Sequence, residues 1–494
     1  MTRLALLAAL SLAATVLGGC ESATTTTRPA TSTSTAPARP AASAGTSIAG
    51  AAPGATPGAS TLGPAITAAG LQERLDDLAG VSAGDGFRSV GSGGFDAAAE
   101  LVVANLKTSG WQVHEDAFTT PAFVDGGGSS VVVDGQTFAA GDVAPLVFAP
   151  GGDVSGPIVA IDWDDSGPPG KGCAVAGYGG LPAGAIVLVR PGGCFRRQQV
   201  LSAQEAGAAG FLAGYPAAAA GAVLRPTLIH PGLLTIPAAG VTGPVGDALA
   251  VAAAAGGTAR LVSNATTAPA ATRSIIAELP GSEPGLVVML GAHLDSVVDG
   301  PGLNDNGSGV AALLELARAL GGSHPRATIR LGFWSAEELG LHGSTHYVVG
   351  LTDAEREAIL VYLNADMVAS PNGFAGVYDA SNPPSSPGIR DLLLAAVTRA
   401  GGSPIKLDVG AGSDHVPFDK AGIPTGGVFS GEVSPVSDAE AAASGATAGL
   451  PADPCYHQAC DDGSDLDVDL ARVLTTALAD VALQVANDPS LVTN

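Results

Sequence analysis

Beyond residue 271 the chain alternates two kinds of apolar pattern. Unbroken runs, "LVVMLGAHLD" (286–295), "ATIRLGFWS" (327–335), "AILVYLNADM" (358–367) and "IPTGGVF" (423–429), predict buried strands. Between and after them, "GVAALLELARAL", "EELGLHGSTHYVVG", "PGIRDLLLAAVTRAG" and "DVDLARVLTTALADVALQVA" carry apolar residues at helical spacing. Such alternation predicts an α/β fold, a mainly parallel sheet flanked by helices on both faces. Residues 66–145 begin with "LQERLDDLAG" and "FDAAAELVVANLKTSG", two helices, the second stopped by Gly110, and run on into the strand "WQVHEDAF". From 146 to 270 short strands such as "GPIVAID" and "AIVLVR" alternate with Gly/Pro turns around one helix, "FRRQQVLSAQEAGAAG". This is the texture of a small β-rich segment, 146–270, distinct from residues 66–145 before it and 271–494 after it.

The start of the chain is different. Arg3 precedes an uncharged apolar run, Leu4–Leu17, which is too short for a stable membrane span and reads as an export signal, 1–19. "LGGC" looks like a bacterial lipobox ending in Cys20, the residue that would carry lipid. Residues 20–65, rich in Ser, Thr, Pro and Ala, cannot bury enough apolar surface to fold and read as a tether. The protein expected is exported and lipid-anchored through Cys20 to the outer face of a bacterial membrane, with shedding left open.

The chain has 46 acidic and 22 basic residues, which argues against nucleic acid or anionic lipid as a partner. It has five cysteines. With Cys20 lipidated, Cys173, Cys194, Cys455 and Cys460 remain, an even set for an oxidising compartment. Three pairings are open, of which 173–194 and 455–460 are the local ones.

In a parallel sheet, ligands collect beyond the carboxyl ends of the strands. The predicted strands end in His293 and Asp295, in Glu337 and Glu338, and in Asp366, and the loop "GPGLNDNGSG" adds Asp305. "GSDHVPF" and "CYHQAC" follow further on. Histidine and carboxylate are the ligands of hydrolytic zinc sites, and two neighbouring metals need a bridging carboxylate. An HxD pair or a Glu-Glu doublet alone is weak, the doublet being often no more than compensation of a helix dipole. It is their shared edge that gives them weight. His342 and His346 have a zinc-like spacing but lack the Glu of HExxH, so packing is the expected role. His415 is expected near the rim of the site, and His114, His230 and His324 on the surface.

"GAHLDSV", "GPGLNDNGSG", "FWSAEELGLHGS", "NADM" and "CYHQACD" together resemble the motifs of the co-catalytic zinc aminopeptidases, over about residues 66–145 and 271–488. The segment 146–270 resembles the protease-associated domain, within which Cys173–Cys194 would be a disulfide. The resemblance implies a zinc exopeptidase-like fold and two Zn2+ ions, one held by His293 and Asp366, the other by Glu338 and His457, with Asp305 bridging. Glu337 would be the general base, Asp295 the carboxylate that orients His293, and Tyr456 a phenol stabilising the developing oxyanion. A Cys455–Cys460 disulfide would clamp the turn that presents His457. The substrates implied are peptides with a free N-terminus, large and apolar at that residue. Some relatives carry Arg where this chain has Gly412, so substrate preference follows less directly than metal binding. The acidic run "CDDGSDLDVD" raises calcium as a further reading, although it departs from the EF-hand spacing and also suits a solvated helix start. The rival functions are another zinc enzyme of this fold, a glutaminyl cyclase or carboxypeptidase-like hydrolase, and an inactive surface binding lipoprotein.

Overall fold

The structure is a computed structural model that describes residue 62 and residues 65–492, except 164–169, 191, 215–222, 224, 380–386 and 411. The signal segment, Cys20 and nearly all of the tether lie outside the described residues.

Two eight-stranded sheets organise the described residues. In the first, Ala327–Trp334, Glu283–His293, Ile359–Ala365 and Thr425–Phe429 lie side by side and parallel. Their apolar runs are unbroken because both faces are covered. Val288 and Leu290 turn to one face, under helices Ala68–Ser82, Gly307–Leu320 and Val468–Asn487. Val287 and Met289 turn to the other, where Trp334, Tyr362 and Phe418 pack. Helix starts are fixed locally: Thr67, Ser92, Asn306 and Asp467 each accept from a backbone N–H of their own first turn, a cap worth about 1 kcal/mol.

Toward its edges this sheet includes antiparallel pairings, which the sequence pattern did not indicate. Ala265–Leu279 pairs antiparallel with Gln112–Asp125 and with Ala327–Trp334, and Ala375–Tyr378 pairs antiparallel with Thr425–Phe429 but parallel with Pro404–Leu407. The first half of Ala265–Leu279 is largely exposed, so it carries no run of buried positions to betray a strand. The register sets Asp125 opposite Ala265. The chain therefore leaves and re-enters the first domain at adjacent positions, and an insert there disturbs neither strand.

Between those positions lies the second sheet, from Ser130 to Ser263, in the order Gln136–Phe138, Ser130–Val133, Thr258–Ser263, Gly152–Ile161, Ile186–Val189, Gly210–Ala213, Ala238–Val241, Val143–Pro145. Three of its strands precede the boundary expected at 146: "SSVVVDGQTF" is a short hairpin that pairs with Thr258–Ser263, and Val143–Pro145 pairs with Ala238–Val241. Helices Arg196–Glu205 and Gly243–Ala254 pack on it. Cys173 is bonded to Cys194, with Cα atoms 5.8 Å apart.

Candidate metal centre

The parallel register delivers the candidate residues to one edge. His293 is level with Trp334, and Gly291 with Asn364, so His293, the Glu337–Glu338 turn and Asp366 emerge together. Asp305 arrives on the loop before helix Gly307–Leu320, and His457 on the loop closed by Cys455–Cys460, whose Cα atoms are 5.3 Å apart. These two loops are sewn to each other. The buried Asp461 carboxylate accepts from Asn304 N at 2.6 Å and Asp305 N at 3.1 Å, and Asn304 Nδ2 donates to Asp453 at 2.6 Å. Burial pushes Asp461 up to about 7, the two N–H groups opposing and Asp453 and Asp305 adding to the rise.

Asp305 stands between two imidazoles. Its Oδ1 is 3.2 Å from His293 Nε2, and its Oδ2 is 3.0 Å from His457 Nε2. Asp366 Oδ1 lies 3.5 Å from His293 Nε2, and Glu338 Oε2 lies 3.2 Å from His457 Nε2. The donor atoms of His293, Asp305 and Asp366, and those of Asp305, Glu338 and His457, fall within 4.8 Å of one another.

The charge balance calls for cations. Burial alone would lower the His293 pKa, yet Glu337, Asp366 and Asp305 hold it well above its ordinary value; burial likewise opposes, and Glu338 and Asp305 overcome, for His457. Burial lifts Glu337 well above the ordinary carboxyl range, with His293 opposing and Glu338, Asp414 and Asp366 adding to the rise. Glu338 Oε1 and Asp366 Oδ1 are buried with no hydrogen-bond partner. Orphaned carboxylate oxygens beside imidazole nitrogens fit a metal such as zinc. Among the described residues, the groups able to hold a metal all lie here. The acidic run after Cys460 forms none: Asp461 holds the Asp305 loop, Asp462 accepts from Ser464 N, and Asp467 caps the last helix. The calcium reading gains no support from these residues.

Two further expectations change. The helix predicted from Glu337 begins only at His342. Residues 335–341 form an irregular turn with positive φ at Ala336 (60°), Gly340 (120°) and Leu341 (62°), so the Glu-Glu doublet does not open a helix. Nor does the Asp295 carboxylate orient His293. It is 3.9 Å from Nδ1, whereas the Asp295 backbone carbonyl is 3.0 Å away and holds the ring. The carboxylate instead accepts from Glu337 N at 3.0 Å and Glu338 N at 3.3 Å, fixing the turn that carries both glutamates.

The centre opens into a cleft of about 430 Å³. Met367, Phe374, Leu407 and Phe429 give it an apolar wall, Glu432 and Asp408 an acidic one, and Tyr456 and Gly412 also border it. The Tyr456 ring stacks on His457, centroids 3.8 Å apart, and burial raises its phenol well above the usual value. Around Gly412 a side chain would meet only the Val409 carbonyl, at 3.7 Å. His415 does not reach the cleft: it is buried, with Nε2 3.1 Å from the Gly410 carbonyl and its ring edge-on to Tyr378. His342 and His346 diverge, the first toward Thr120 and Ile229, the second toward Asp116. His114, His230 and His324 are exposed.

Two supports escaped the sequence reading. Arg88, fully buried beneath the site, donates to the carbonyls of Leu294, Pro301 and Gly302; burial lowers its pKa to about 10, Asp461 and Asp295 opposing. A buried chain of hydrogen bonds runs from Trp334 through Tyr362, Asn364 and Ser413 to Asp366 Oδ2, in steps of 2.6–2.9 Å. The signal was present, polar groups set inside apolar strand runs, but their partners include Trp334 on another strand and Ser413 in a distant loop.

Residues 274–482 match the description Peptidase family M28, and residues 154–249 match the PA domain. The chain is 37% identical over 410 residues to a probable lipoprotein aminopeptidase, LpqL, of Mycobacterium tuberculosis, covering 80% of this chain and 79% of that protein. It is 32% identical over 429 residues to an aminopeptidase of Pseudomonas aeruginosa, covering 82% and 78%. Among solved structures it resembles the aminopeptidase of Aneurinibacillus sp. strain AM-1, with a TM-score of 0.68 at 23% identity over 86% of this chain and 95% of that one. The zinc aminopeptidase of Bacillus subtilis gives 0.66 at 21% identity over 85% and 96%. At these identities the structural likeness carries the fold.

Proposed function

We propose that this chain, a member of peptidase family M28 and an aminopeptidase, depends on zinc, that two zinc ions act in it together, and that it removes large apolar N-terminal residues from peptides outside the cytoplasmic membrane. The observation that carries the two-ion reading is Asp305, whose two oxygens each face a different histidine at 3.2 and 3.0 Å. His293 and Asp366 would hold one ion and Glu338 and His457 the other, with Asp305 shared. Bound there, the pair would lower the pKa of a shared water and polarise the scissile carbonyl.

The chain's own groups account for the rest. Glu337, driven up by burial among carboxylates, accepts the proton of the attacking water and returns it to the departing amine. Tyr456, at the mouth beside His457, donates its O–H to the developing oxyanion. Asp366 and Glu337 form the anionic end of the cleft, which favours a substrate's free α-ammonium and limits cleavage to the first residue. The apolar wall of Phe374, Leu407 and Phe429 suits a leucine-like side chain. The division into a peptidase domain, 66–145 with 271–494, and an insert, 146–270, belongs to the same proposal, with the insert's start moved back to about Ser130, where its sheet begins; so does a lipid anchor at Cys20, supported by the lipoprotein name of the M. tuberculosis relative.

The test is leucine p-nitroanilide hydrolysis with metal analysis. Two zinc per chain, activity abolished by chelation and restored by zinc, and a fall of about 10³-fold or more in kcat for Glu337→Gln with both metals retained are expected. One zinc per fully active chain, or a Glu337→Gln enzyme of near-normal kcat, would refute the assignment.

A further inference from the structure

The turn that carries Glu337 and Glu338 is strained and has no regular secondary structure. Residues outside glycine at positive φ, here Ala336 and Leu341, persist only where their surroundings hold them. From the inside the Asp295 carboxylate grips the turn through two N–H groups. From the outside it is covered by the inserted domain.

That cover is close and specific. Ile229 of the insert lies against Gly340 so tightly that a Cβ there would come within 3.0 Å of the Ile229 carbonyl oxygen. Leu339 packs into the insert's apolar core. His342, which ends the turn, donates from Nε2 to the Ile229 carbonyl at 3.2 Å, accepts at Nδ1 from Thr120, and stacks on Phe148 with centroids 6.2 Å apart. Both ring nitrogens of a neutral imidazole are thereby used. The insert's segment is itself braced: Arg197 donates to the carbonyls of Leu228 at 2.9 Å, of His230 and of Gly232.

Arg225 locks the segment to the peptidase domain. Only 5% of its side chain is exposed, and it forks onto Asp299, with Nε 2.7 Å from Oδ2, while donating to Asp125 at 2.6 Å. Asp299 lies in the loop that follows His293 and Asp295. A small cavity of about 30 Å³ bordered by Arg225, Asp295, Asp299, Glu338 and Leu339 marks where insert, loop and turn meet.

We propose that the inserted domain is a working part of the catalytic apparatus: its segment 225–233 presses on the 335–342 turn and fixes the Glu337 side chain, with Arg225 and His342 as positioning residues. The proposal rests on Glu337 being the base. It assigns the insert a role in the chemical step and not in binding the substrate.

The experiment uses the full chain with His342→Ala, Arg225→Ala and Arg225→Lys, leucine p-nitroanilide kinetics, zinc content, and hydrogen exchange over residues 336–343. Misplacing a base by an ångström costs up to about 100-fold, so kcat is expected to fall about 10- to 100-fold with KM within about twofold. Zinc content stays at the wild-type value, exchange at 336–343 accelerates, and Arg225→Lys recovers part of kcat, since it restores the charge but not the fork. Unchanged kcat with a lowered Tm would make the insert a mere appendage and overturn the proposal, as would a change confined to KM. Should Arg225→Ala fail to fold, Asp299→Asn weakens the same fork more gently and is judged by the same readouts. If the wild-type chain cleaves no N-terminal substrate, it is the aminopeptidase reading that fails. Exchange then decides this proposal alone: faster exchange in the variants upholds the grip on the turn, and unchanged exchange overturns it.

Discussion

Asp295 lies two residues beyond His293, and the resemblance to the zinc aminopeptidases implies that its carboxylate faces the imidazole. In the fold the nearer group is the Asp295 carbonyl, and the carboxylate turns to the N–H groups of Glu337 and Glu338. The two arrangements predict different losses. Asp295→Asn would point an amide at one of those N–H groups, and kcat is expected to fall about 10- to 100-fold. Metal content should be unchanged, because the carbonyl still holds His293. Loss of one zinc in Asp295→Asn, by metal analysis, would instead restore the role the resemblance implies. Glu337, Glu338, Asp305, Asp366 and His457 were all legible as candidates, since each carries an acid or imidazole at a strand end or in a motif. Arg88 was not, because a lone arginine in a loop has no pattern, and only the carbonyls gathered around it reveal its place.

At the scale of elements, the strands bearing the site were legible and the pieces joining them were not. A strand buried on both faces announces itself by an unbroken apolar run, whereas the turn at 335–341 is set by positive-φ residues and by contacts from outside it. The loop 455–460 is similar. His457 sits at φ 58°, in the left-handed region, and the disulfide closes only a short ring around it. By loop entropy so short a ring contributes about 2 kcal/mol to stability, so its main effect is expected on the metal. Replacing both cysteines, as Cys455→Ala with Cys460→Ala, should leave a cooperative thermal transition while weakening the His457-side zinc and lowering kcat/KM about 10- to 100-fold. A pair variant that keeps both zinc ions through dialysis and full activity would show that Asp453 and Asp461 hold the loop unaided.

At the scale of the whole molecule, the sequence reads residues 1–65 as a leader and tether and the remainder, by its periodicity, as a folded part. No helix among the described residues is long and apolar enough to cross a membrane; in the proposal, attachment is through Cys20. Cys20→Ser is expected to move the protein from the detergent to the aqueous phase on cloud-point separation, with kcat/KM kept within about twofold. A Cys20→Ser protein that still partitions with detergent would sink the anchor. What the sequence determined by itself is whatever short-range chemistry and periodicity encode: an α/β sheet, a β-rich segment of different texture, and acids and histidines at strand ends. What tertiary structure alone decided is which of those groups share a neighbour. Asp305 comes to lie between His293 and His457, the Asp295 carboxylate serves Glu337 and Glu338, and a segment of the insert presses on the catalytic turn. Such contacts join residues scores of positions apart. They depend on strand order and loop packing, to which a linear pattern of polar and apolar positions is blind.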